Sequence, residues 1–119
     1  MERIEIQKYE SKSIVLVDLS KLKPDETIKI LPEAQKIISK MGEKSALILT
    51  DVTGANYNRE VADGIKEFVK NNSPYVKASA VVGVEGISDV LLQTVIFLSR
   101  REIKSFNNRV DATNWLLTH

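Results

Sequence analysis

Two apolar runs in this chain end on an aspartate: Ile14-Val15-Leu16-Val17 on Asp18, and Ala46-Leu47-Ile48-Leu49-Thr50 on Asp51. Short apolar runs bounded by turn chemistry read as strands covered on both faces. In open α/β sheets, binding groups gather just beyond the carboxyl ends of such strands. If the two strands are neighbours, Asp18 and Asp51 converge into an acidic pocket of the kind that holds Mg²⁺. The alternative is that each acid closes a turn or accepts backbone hydrogen bonds. Lys77 and Lys104 are not clearly at strand ends and do not complete such a pocket, so no metal or other cofactor is expected.

The second chemical feature is the loop that follows Asp51, in which Asp51, Thr53, Gly54, Asn56 and Tyr57 form a candidate recognition surface. The Thr53 hydroxyl is either a regulatory phosphosite or a turn residue that satisfies loop backbone groups. Gly83-Val84-Glu85-Gly86 is a weak phosphate-loop pattern, better explained as a tight strand-to-helix turn. With no Cys in the chain, disulfides, thiolate metal sites and Cys nucleophiles are excluded. The one His is His119, so acid–base chemistry would rest on carboxylates, Lys or Tyr without an evident triad, and an enzyme is the least expected class.

These groups need elements to position them. Ile4 and Ile6 alternate with Arg3, Glu5 and Gln7 as an edge strand does, and Glu10 to Ser13 read as the turn into a central strand. Pro24 suits a first helical turn, with Asp25 and Glu26 complementing the positive helix end. Pro32 should either kink this helix or split it in two, after which Ala34, Ile37, Ile38 and Met41 share a face and Gly42 stops it. Asn58 caps a helix carrying Val61, Ile65, Phe68 and Val69, which Ser73-Pro74 terminates. Val76 to Val82 is the next strand, Ile87 to Leu98 an almost wholly apolar helix, and Ile103 to Phe106 a last strand. Asn108 caps a closing helix that docks Ala112, Trp115 and Leu116 and leaves His119 in a frayed tail. Strands alternating with helices give a mainly parallel α/β sheet, here with an antiparallel first strand, in one domain over residues 1–119.

Composition narrows the class. Hydrophobic residues are 43% and charged residues 28%, with a formal net charge of +1, a globular balance without the basic stripe of a nucleic-acid binder. Arg100-Arg101 reads as a helix end. The first residues lack a signal-peptide pattern and no apolar run spans a membrane, which points to the cytoplasm.

Three motifs together carry a family resemblance: Val17-Asp18-Leu19-Ser20 with Leu22-Lys23-Pro24, Leu49 to Ala55, and Pro74 to Gly86, followed by the Ala112 to Leu116 ending. The chain resembles the SpoIIAA-like group with the STAS or SEC14-like fold over nearly its whole length. The resemblance implies a right-handed strand–helix superhelix and a non-enzymatic role, typically protein interaction in bacterial signalling. In the signalling members, which are anti-sigma-factor antagonists, an Asp-Ser-Ser-Gly turn follows the corresponding strand and its second hydroxyl is phosphorylated. Here the turn is Asp51-Val52-Thr53-Gly54, so Thr53 takes that position. Val52 replaces the first hydroxyl, and Ala55-Asn56-Tyr57 intervene before the helix begins. A helix amino terminus favours phosphate only within about its first turn, so the longer loop weakens that implication.

The expectation is therefore a STAS-like module whose protein partner reads the Asp51–Tyr57 loop. The alternative is a SEC14-like binder of a lipid or other apolar small molecule, suggested by the apolar Ile87–Leu98 helix. On that helix Leu92 and Ile96 point away from the face formed by Leu91, Val95 and Leu98, and suggest a homodimer interface.

Overall fold

The computed structural model describes residues 3–84, 93 and 103–119. Apart from Gln93, the expected helix Ile87–Leu98 lies outside the described residues, as do the loop residues Glu85 and Gly86 and the Leu92/Ile96 interface. The elements are β1 (Ile4–Tyr9), β2 (Lys12–Asp18), α1 (Pro24–Ile38), β3 (Ala46–Asp51), α2 (Arg59–Asn72), β4 (Val76–Val82), β5 (Ile103–Phe106) and α3 (Arg109–Leu116). The five strands lie in sequence order in one sheet, with β1 antiparallel to β2 and every later pair parallel. Parallel neighbours in consecutive order are what a right-handed strand–helix coil produces.

Alternation along the central strands divides the core into two layers. Val15, Val17 and Ile48 face α1 and α2, where they meet Leu31, Ala34, Ile38, Phe68 and Val69. Ile14, Leu16, Leu47 and Leu49 face the other way with Ala78 and Ala80, against Ala112 and Leu116 of α3. Both layers being covered explains why β2 and β3 are continuous apolar runs rather than alternating ones. The two alanines of β4 leave room for the short α3 to lie close to the sheet.

Three local expectations are corrected and one is narrowed. The hairpin turn is only Glu10-Ser11, because Lys12 and Ser13 pair with Tyr9 and Lys8 and extend the ladder. Ile6 is 49% exposed, whereas Ile4, two residues earlier on the same face of β1, packs against the core. Of the two outcomes allowed at Pro32, the split into two helices does not occur: α1 runs continuously from Pro24 to Ile38. An interior proline costs about 3 kcal/mol, and burying Leu31 and Ile38, at about 1.5–3 kcal/mol each together with Ala34, offsets it. Pro32 lies on the exposed side, where a helix bends most easily. Finally, His119 does not fray: its backbone N–H donates to the Leu116 carbonyl at 3.1 Å, and its ring meets Trp115 edge-on at 4.5 Å.

Candidate functional site

The register that pairs β2 with β3 places Asp18 directly opposite Asp51 at the carboxyl edge of the sheet. The cation between them is a guanidinium. Arg109, the first residue of α3, donates from Nε to Asp51 Oδ2 at 2.7 Å, and its Nη2 lies 3.3 Å from Asp18 Oδ1. On the opposite side Arg3 Nη1 lies 3.4 Å from Asp18 Oδ1 and donates to the Ser20 carbonyl at 2.9 Å. The Ser20 backbone N–H donates to Asp18 Oδ1 at 3.0 Å, and the Thr53 N–H to Asp51 Oδ1 at 2.9 Å. Two carboxylates and two guanidiniums thus form a neutral cluster.

The electrostatics follow from these contacts. Burial by itself would raise the Asp51 carboxyl, but the Thr53 hydroxyl and amide and then Arg109 outweigh it and hold it below the ordinary 3.8. Burial likewise acts upward on Asp18, and is outweighed by the Ser20 hydroxyl and amide, then Arg109 and Arg3, so this carboxyl is also lowered. For Arg109, burial acts to lower its pKa, but bonding and attraction to Asp51 and then Asp18 raise it overall. A divalent cation does not fit this donor set: three of the contacts on Asp18 and Asp51 come from Arg109 and Arg3, and among the described residues no group of three or more His, Cys, Asp or Glu is placed to hold a metal. The acidic pair is a structural link between strand ends.

Around this cluster the loops that leave β2, β3 and β4 are tied together. Leu19 N–H donates to the Asp51 carbonyl at 2.8 Å, Lys21 N–H to Thr53 at 2.9 Å, and Val52 N–H to Val82 at 2.9 Å. Asn56 uses both its backbone and side-chain N–H groups on the Leu22 carbonyl, at 3.1 and 3.2 Å. Gly83 has φ +83°, and a side-chain carbon there would lie 2.6 Å from Thr53 Cα. Only glycine permits that approach, and it is what sets the loop after β3 flat against the exit of β4.

No protein-family model and no curated protein matches this sequence. Among solved structures, the chain is similar to an uncharacterised protein of the DUF3478 family, with a SpoIIAA-like fold, from Shewanella loihica PV-4. The similarity has a TM-score of 0.73, covers 95% of this chain and 91% of that one, and comes with 16% sequence identity. The fold is SpoIIAA-like. At that identity the likeness speaks for architecture alone.

In this SpoIIAA-like frame the loop residues singled out from sequence are placed unequally. Thr53, Gly54 and Asn56 are exposed, Asp51 is buried, and Tyr57 is half-buried with its ring against the α1/α2 core layer. Burial pushes the Tyr57 hydroxyl up to about 12, and it has no hydrogen-bond partner among the described residues. Helix α2 begins only at Arg59, with the Asn58 side chain accepting from Val61 N–H at 2.8 Å, so the Asn58 cap and four further residues separate Thr53 from the first helical residue. Lys77 is exposed at the start of β4, at the other end of the sheet, and Lys104 lies over the Phe106 ring, 5.6 Å from its centre. Neither approaches the two acids' role. Arg109, Arg3, Ser20 and Gly83 were not singled out as site residues from the sequence. The available signal was that two adjacent strand-end carboxylates demand a cation, and Arg109, just after the Asn108 cap, follows the last strand.

Proposed function

We propose that this protein is a non-catalytic STAS-like interaction module in a signalling or regulatory role, and that its protein partner reads the Asp51–Tyr57 loop. One observation carries the reading: Thr53, Gly54 and Asn56 are exposed, yet their backbone is pinned by Lys21, Leu22 and the close approach of Gly83. An exposed loop held in one conformation loses little entropy when it binds. The engaged state of both carboxylates agrees with this reading, because neither is poised to exchange a proton near neutral pH.

Thr53 is the switch in this reading. A phosphate there adds nearly two negative charges beside Asp51 and changes what the loop presents. The test is affinity capture from a lysate of the source cells with wild type, Thr53→Glu and Thr53→Val as baits, read by quantitative mass spectrometry. Thr53→Val loses the hydroxyl bond to Asp51, which costs about 1 kcal/mol, and should retain the partner. Thr53→Glu should lose it at a similar cost in stability. Equal capture by all three baits removes Thr53 from recognition, and a small molecule retained in native mass spectrometry of the pure protein would favour the apolar-ligand alternative.

A further inference from the structure

Helices α1 and α2 do not close against each other along their outer faces. Between them lies an open groove of about 410 Å³ whose floor is apolar, formed by Leu31, Phe68 and Ile28. Its α2 rim is acidic throughout: Glu60, Asp63 and Glu67 are all exposed, and no ion pair reaches any of them among the described residues. The spacing of three and four residues places them along one helix face.

Two further residues on the same groove weaken the helices that carry them. Gly64 sits within α2 between the acids, where glycine is among the poorest helix formers. An alanine carbon there would find only the flexible tip of Leu31, at 3.4 Å, so the glycine is not forced by crowding; it leaves the groove open. Pro32, on the α1 wall, has no N–H to give the Ile28 carbonyl, so α1 lacks one of its usual backbone hydrogen bonds there. Local rules broken together at one place mark a functional surface.

We propose that the α1–α2 groove docks a short basic amphipathic helix of a partner protein. The groove offers an apolar floor and three carboxylates. The matching ligand therefore presents apolar side chains flanked by Lys or Arg. From Glu60 to Glu67 the acids span about 10 Å of helix, so two to three turns of the ligand suffice, with cations spaced as the acids are. The surface is separate from the Asp51–Tyr57 loop, and the inference stands without the loop's role.

The test uses fluorescence anisotropy with a labelled peptide of Leu and Lys patterned as a two-faced helix, and the same peptide with Glu in place of Lys. Wild type should bind the Lys peptide saturably, less tightly as salt rises, and should not bind the Glu peptide. Two variants attack the groove in different ways: Glu60→Gln/Asp63→Asn/Glu67→Gln removes the charges, and Gly64→Met fills the groove while keeping them. Each should weaken binding about tenfold or more, with its fold checked by circular dichroism, and should one fail to fold the other decides. Thr53→Glu should bind the peptide as wild type does, which keeps this result independent of the loop reading. Equal binding of the two peptides, no saturable binding of the Lys peptide, or undiminished binding by the folded Gly64→Met protein overturns the proposal.

Discussion

Asp51 takes one donor from close by in sequence, the Thr53 amide two residues away, and one from far along the chain, Arg109 of α3. Because its folded carboxyl lies below the ordinary 3.8, the stability it contributes is fully present above that value and is lost as pH falls through the lower folded value; Asp18 acts in the same sense. Unfolding free energy should therefore decline as pH drops below about 4, and Asp51→Asn should flatten the decline; equal acid profiles in urea titrations would show that the cluster does not set acid stability. Arg109→Ala should cost about 1–2 kcal/mol at neutral pH, less than a fully buried pair because the Arg109 side chain is 42% exposed. Tyr57 behaves oppositely. Its hydroxyl is buried without a partner among the described residues, so Tyr57→Phe should be neutral or stabilise by up to about 1 kcal/mol. With a folded value of about 12, wild type should also lose stability as pH rises from about 10, and the Phe variant should not. The two aspartates were legible because each ends an apolar run. Their guanidinium partner was not, because the Asp51–Arg109 contact spans 58 residues and no local pattern announces it.

At the scale of elements, the loop after β3 depends on a glycine from the loop after β4. Gly83→Ala would place a carbon against the Thr53 backbone at a positive φ, and should cost about 1–3 kcal/mol through both strain and displacement. Thermal melts read the loss, and the chemical shifts of Thr53 and Gly54 should move with it; an unperturbed loop would show that the contact is not what holds it. Helix and strand identities were readable from periodicity and caps, as with Asn58 and Asn108, each of which accepts the backbone N–H three residues on. The split allowed at Pro32 does not occur because tertiary context outweighs the local rule: the buried face of α1 continues through Leu31, Ala34 and Ile38 on both sides of the proline. The turn of the first hairpin was misread for want of such context, since Lys12 and Ser13 look like loop residues until a partner strand is alongside.

Across the whole molecule, stability should be graded from the centre of the sheet outward. β2 and β3 are paired on both edges and covered on both faces, and Ile14, Val15, Val17, Leu47, Ile48 and Leu49 are each at most 4% exposed. β1 has a neighbour on one side only and carries the exposed Ile6, while β5 is four residues long at the other edge. Amides that exchange only on global unfolding belong to elements with no cheaper way to open, and edge strands have one, since they can detach while the rest remains packed. Hydrogen exchange should therefore find the slowest amides in Ile14–Val17, Leu47–Leu49 and Ala78–Ala80, all reporting a common free energy. β1 and β5 should exchange faster and through separate openings. The difference also bears on the loop after β3: the Asp18 and Asp51 ends are anchored in the slow strands, whereas Arg109 follows a fast edge strand and Arg3 precedes one. Local opening of either edge would then release one guanidinium while leaving the aspartates in place, so lowering pH should reduce protection, corrected for the intrinsic exchange rate, less in the loop than in β1 and α3. Fast exchange in Leu47–Leu49, or protection of β1 equal to that of β3, would contradict this ordering of the sheet.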